Sequence, residues 1–203
     1  MRHIAVIEVA TGKVNVFKDV PSENSYYPSW TADGKQILFT TRPHEVWDLA
    51  AINSDGTNFH VVKPGVQNEV TCYSPVWARD GQSVFCQDVT NIYQIGLDGA
   101  VLAQWKIEQI IPKGDMSGDG RIDVSPDGKR LLLSIDMSEE SGRKDWDAPL
   151  PALWAFDFQS QKPTRLTPKK LFGWDGVWID NKDVLFSQPR AWRKGRLDLP
   201  NVC

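Results

Sequence analysis

The sequence predicts an all-β protein, a β-propeller of four-stranded antiparallel blades, and three observations lead there. A hairpin turn built on Asp-Gly, led by an aromatic or apolar strand and followed by an apolar one, recurs at a near-fixed interval. A second, separate hairpin follows each of these turns. No stretch carries an apolar stripe of helical period long enough to form a useful helix.

The recurring stretch is clearest at Val124-Ser125-Pro126-Asp127-Gly128-Lys129-Arg130-Leu131-Leu132-Leu133-Ser134. Pro fixes φ, Asp accepts turn hydrogen bonds and Gly supplies a positive φ, so each residue type has its own reason to be there. Trp30 to Thr40 and Trp77 to Gln87 repeat the pattern, and Trp178 to Ser187 repeats it with a shorter turn. Asp33, Asp80 and Asp127 stand 47 residues apart, and Asp180 follows 53 later. These aspartates read as turn stabilisers rather than as chemistry.

Taken in order, the chain begins with one hairpin, Ile4 to Val9 and Val14 to Phe17, which matches only the second half of a unit. Three whole units follow, each with strands a to d. Their second hairpins are Leu49 to Ile52 with Phe59 to Val62, Ile92 to Ile95 with Val101 to Ala103, and Leu153 to Phe158 with Thr164 to Thr167. The chain then ends on a first hairpin alone. This divides it into a partial blade over 1–20, repeats over 21–66, 67–112 and 113–168, and a final partial blade over 169–203. Strands c and d at the start and a and b at the end together make one blade, so pairing them would close a four-bladed ring and remove two exposed edges. The competing arrangement is an arc of a larger propeller, in which Gly195 to Leu199 supplies a further strand c.

The Ser125 to Leu131 motif, followed by the Leu153 to Thr167 hairpin, resembles the WD40-like PD40 repeat of TolB-type β-propellers. The resemblance extends from about Ile4 to Ser187. It implies a propeller found in envelope scaffold proteins, beside serine-peptidase domains, and in a pectic-oligosaccharide lyase family. It also implies a periplasmic or extracellular setting, although the start of the chain lacks the long apolar segment of a signal peptide.

Composition narrows the function. Lys plus Arg is 23 against 26 Asp plus Glu, a net charge of -3, which lacks the basic footprint of a nucleic-acid binder. No apolar run approaches the ~20 residues of a membrane helix. Nine tryptophans suit wide contacts between packed sheets. Trp30, Trp77 and Trp178, with Val124, form one column on strand a and read as inter-blade core. Phe39, Cys86, Leu133 and Phe186 form a second column, so Cys86 reads as a buried inert thiol rather than a nucleophile. Cys72 falls roughly opposite Cys86 across the Asp80 turn, which also admits a cross-strand disulfide.

In such a blade the a–b and c–d turns share one face, and the b–c and d–a connections share the other. The long connections, 41–46, 106–121, 135–150 and 188–194, all fall on that second face, where binding residues are expected. Within them, His44 and Glu45, the Arg143, Lys144 and Trp146 group, and the Arg190 and Trp192 pair are candidate ligand-binding residues. Asp115, Ser117, Asp119 and Asp123 place oxygens at positions 1, 3, 5 and 9 of a loop with Gly120 at position 6, the spacing of a short Ca2+ loop, or else of a polar connection that merely turns. Catalytic signals are thin. There is no Gly-x-Ser-x-Gly elbow, and three histidines cannot supply the histidine cluster the lyase resemblance implies. The expectation is a non-enzymatic propeller that binds a protein or a glycan, pairing as a homodimer if the ring is open. The alternative is a carbohydrate-active lyase or hydrolase, or the propeller portion of a peptidase-type enzyme.

Overall fold

A computed structural model describes residues 2–22, 24–65, 71–137, 150–169 and 171–188, with only the backbone of His44. The Asp-Gly turns form as their residues dictate. Gly34, Gly81 and Gly128 take φ of 68°, 67° and 71°, and the aspartate before each accepts a hydrogen bond from the backbone N–H two residues on. Each turn joins an inner strand a to the strand b beside it.

Three four-stranded antiparallel sheets result. The first comprises β3 (Ser25–Trp30), β4 (Gln36–His44), β5 (Val46–Asn53) and β6 (His60–Lys63). The second comprises β7 (Tyr73–Trp77), β8 (Ser83–Gln87), β9 (Asn91–Gly96) and β10 (Val101–Lys106). In the third, β12 (Ile122–Val124), β13 (Arg130–Met137), β14 (Leu150–Asp157) and β15 (Lys162–Arg165) play the same parts. A short β11 (Gly114–Asp115) adds to the far end of β13. A single helical turn among the described residues, α1 (Ile107–Ile110), lies between β10 and β11. Two-stranded sheets flank these blades, β1 (Ala5–Ile7) with β2 (Val14–Val16), and β16 (Trp174–Trp178) with β17 (Val184–Ser187).

The core lies between sheets. Leu38, Leu49 and Ala51 of the first blade meet Trp77, Val84 and Cys86 of the second in one buried layer. Phe85 and Ile92 meet Val124, Leu131 and Leu133 in the next. Leu132, Leu153 and Ala155 meet Trp178 in the last, and Ile4 and Phe17 meet Ile37 and Phe39 in the first. Each fully buried Leu or Phe in these layers is worth roughly 1.5–3 kcal/mol relative to exposure.

Four expectations are corrected. Closure by the end strands does not occur among the described residues: the end hairpins remain separate sheets, so the blades form an arc. Trp30 is not core. It is 48% exposed, whereas Trp77 and Trp178 are buried: among the described residues the hairpin before it supplies only strands c and d, with no strand b for Trp30 to lie on. Cys72 and Cys86 are joined as a disulfide rather than left as thiols. Residues 41–46 are no loop either: β4 and β5 run almost to the tip, where Glu45 turns the chain at a φ of 50°.

Candidate functional site

The inner strands β3, β7, β12 and β16 contact one another in that order and leave a funnel of about 250 Å3 between them. A repeated backbone device shapes its wall. Tyr27, Ser74 and Asp175, each three residues before its tryptophan, all take a left-handed φ of 55°, 48° and 53°. Strand pairing slips at each of these places, between Tyr26 and Ser29, Tyr73 and Val76, and Trp174 and Val177. A bulge of this kind re-aims a side chain and twists the edge, and a non-glycine residue in that region costs on the order of 1–3 kcal/mol. Pro28 and Pro75 follow two of the bulges and remove N–H donors from edges that would otherwise invite another strand.

Arg121 occupies the same position in the third blade and lies 3.8 Å from the Asp175 carboxylate of the last hairpin. Tyr27 donates a hydrogen bond from its hydroxyl to the Gly118 carbonyl at 3.2 Å. Burial first, then the Asp119 charge, raises the Tyr27 pKa, so this phenol remains a donor at neutral pH. Ser74 lines the funnel with a buried hydroxyl that has no hydrogen-bond partner among the described residues. Such a group carries a desolvation cost of roughly 1–3 kcal/mol until something polar meets it.

Aromatic side chains crowd the first and second blades beside this funnel. Tyr26 lies 6.0 Å from Tyr27 and 5.3 Å from Trp47, and Trp47 lies 6.3 Å from Tyr73. The Arg42 guanidinium sits 5.5 Å from the Trp47 ring centroid, and that of Arg2 sits 4.7 Å over Tyr26. All four rings are half-buried. Tyr, Trp and Arg held this way bury large contact area at small entropic cost, the chemistry of binding hot spots.

The expected site residues fare unevenly. Glu45 is exposed at the tip of the hairpin that carries Arg42 and Trp47, and the backbone of His44 precedes it. Arg143, Lys144, Trp146, Arg190 and Trp192 lie outside the described residues. Of the calcium-loop residues, Asp115, Ser117 and Asp119 are exposed. Asp123 is engaged elsewhere: its carboxylate accepts hydrogen bonds from the Val124 and Trp178 backbone N–H groups, at 2.9 and 2.7 Å, and lies 3.7 Å from Arg79. Among the described residues no three His, Cys, Asp or Glu side chains gather as a metal-holding group. Asp136, opposite Asp115 on β13, is half-buried, and burial followed by the Asp115 and Asp119 charges raises its pKa.

Sequence reasoning passed over Tyr26, Tyr27, Arg42, Trp47 and Tyr73. A signal existed. Tyr26-Tyr27-Pro28-Ser29-Trp30 and Tyr73-Ser74-Pro75-Val76-Trp77 align in the repeat, and Trp174 holds the same place as Tyr26 and Tyr73 in the last hairpin.

No protein-family model and no curated protein matches the sequence. Solved structures do. The chain superposes on TolB from Acinetobacter baumannii with a TM-score of 0.68 at 17% identity, covering 91% of this chain and 42% of that one. The chain has the TolB-like β-propeller fold. The propeller is similar also to a TolB-like structure from Agrobacterium tumefaciens (TM-score 0.63, 16% identity, 92% and 66% covered). An oligogalacturonate lyase in complex with manganese gives a TM-score of 0.60 at 14% identity, with 93% and 53% covered. The propeller thus spans less than two thirds of each of these chains.

Proposed function

We propose that the protein is a non-enzymatic binding propeller that takes a protein segment or a glycan at the aromatic mouth of its inner funnel. The observation that carries this reading is the Tyr26, Tyr27, Trp47 and Tyr73 cluster with Arg42 stacked on it. Ser74 and the Tyr27 hydroxyl add polar groups that would orient a ligand in the funnel. The Cys72–Cys86 disulfide supports an oxidising, periplasmic or extracellular setting. Screening the protein on peptide and oligosaccharide arrays tests the reading. The expected outcome is a hit whose affinity falls by about tenfold or more in Trp47→Ala and in Arg42→Ala, with the fold of Arg42→Ala unchanged. Hits that survive both substitutions would move the site elsewhere.

One observation favours a second reading, a hydrolase or lyase using carboxylates, here at a strand end rather than on a loop. Asp136 is a carboxyl with a raised pKa beside two others, the usual setting of a general acid. Turnover on a glycoside panel, lost in Asp136→Asn, would support it; equal background in both proteins removes it.

A further inference from the structure

Arg2 and Arg42 flank the start of β3 and lie over the rings of the mouth. On one side the Arg2 carbonyl accepts a hydrogen bond from the Ser25 N–H at 2.9 Å. On the other the Arg42 N–H donates to the Asn24 carbonyl at 3.0 Å and to the Ser22 hydroxyl at 3.1 Å. Both backbones are thus tied to the residues just before Tyr26, which sets Arg2 over Tyr26 and Arg42 over Trp47. Among the described residues no carboxylate lies within ion-pair distance of either guanidinium, although Glu45 stands exposed on the hairpin tip beyond Arg42. Arg121, beside the same funnel, differs in having Asp175.

A guanidinium stacked on an aromatic ring keeps its N–H edge free, and that edge receives a carboxylate through two parallel hydrogen bonds. Both arginines are exposed, so these edges can meet a partner. The same stacking argues against a sugar. A sugar ring stacks on a free aromatic face, where its C–H groups meet the negative quadrupole. Here Tyr26 and Trp47 each carry a guanidinium and meet each other edge to face, as Trp47 and Tyr73 do. Behind the rings lies the funnel of about 250 Å3, walled in part by Pro28, Pro75, Val76 and Val177. It falls below the roughly 300–1,000 Å3 of a site for a drug-sized molecule and suits one side chain.

We propose that the mouth takes an acidic peptide segment, its carboxylates received by Arg2 and Arg42 and a neighbouring uncharged side chain seated in the funnel. This rests on the binding reading above and adds the class of partner. The two guanidiniums select for charge, while the rings and the funnel supply contact area.

An array of random peptides, probed with the full chain, tests this. Each peptide is paired with a counterpart in which Asn and Gln replace Asp and Glu, and polygalacturonate is spotted beside them. Hits are expected to be rich in Asp and Glu and to lose about tenfold or more in affinity as their amide counterparts. Arg2→Gln and Arg42→Gln should each lose a similar factor and flatten the fall of affinity with salt. Arg42→Lys, a point charge without the fork, should recover only part of that loss. Arg42→Glu should move the preference to peptides bearing Lys and Arg, a reversal that a merely damaged fold would not produce. Both positions are exposed, so melting temperatures should stay near that of the wild type. Hits that depend on Trp47 but bind equally well as amides overturn the proposal and leave the binding reading standing. Polygalacturonate bound through Arg42 in preference to every peptide overturns it in favour of an anionic glycan. A wild type that captures nothing overturns both.

Discussion

Cys72 and Cys86 are joined across the second blade, with Cα atoms 5.1 Å apart, Cys72 just ahead of β7 and Cys86 inside β8. Cys72 is 2% exposed and Cys86 is fully buried, both in the layer that packs Trp77 on the first blade. The cross-link therefore braces the strand that bears Trp77 against its neighbour at the sheet interface.

Breaking that link is expected to destabilise the protein. For a sequence separation of 14 the loop-closure account gives about 3 kcal/mol. Urea denaturation of a Cys72→Ala, Cys86→Ala double variant should show that loss. A midpoint unchanged from wild type would mean the bond contributes nothing to the fold.

The Asp123 carboxylate ties the third blade to the last hairpin through the Trp178 backbone N–H. Asp123→Ala leaves that N–H and Arg79 without this acceptor, and a loss of roughly 1–3 kcal/mol is expected. Asp123→Asn keeps an acceptor oxygen and should recover part of it. Equal stability of the two variants would remove the hydrogen bond from the account.

Asp136 makes stability depend on pH in a defined direction. Its folded pKa is raised by burial and by the Asp115 and Asp119 charges, so the folded chain holds the proton more tightly than the unfolded chain does. The cost of ionising it is present at neutral pH and disappears as pH falls through the raised folded pKa. Asp136→Asn is expected to melt higher than wild type at pH 7, with the gap closing in acid. A gap of the same size at both pH values would show that the titration is not its cause.

Calcium acts on the same carboxylates in the reading of the 115–123 loop as a cation site. Millimolar Ca2+ is then expected to raise the melting temperature of the wild type, and Asp119→Ala to abolish the rise. No shift on adding Ca2+ ends the calcium reading.

Gly65 bears on the aromatic mouth from behind. A Cβ there would run into the backbone carbonyl of Trp47, and the Gly65 N–H donates to Asp48 at 2.6 Å. Gly65→Ala is expected to push the Trp47 strand away and weaken any ligand found at the mouth, alongside a fall in melting temperature. Retained affinity would mean that Trp47 is not a contact.

Much of this fold could be read from single residues, because the interactions that make it are short in sequence. Asp33 needs only Lys35 N–H and Gly34, and Asp127 only Lys129 N–H and Gly128, to turn the chain. The tyrosines of the mouth were harder to see, since Tyr26 and Tyr73 gain meaning only when Trp47, from another strand, lies between them.

By itself the sequence determined the hairpins, their period and the all-β architecture, since turn chemistry and two-residue alternation act over a few bonds. The tertiary structure alone decided that Trp77 and Trp178 are buried while Trp30, in the same column, faces out. Burial belongs to the blade next door, and a residue carries no record of whether its neighbour supplies a strand b.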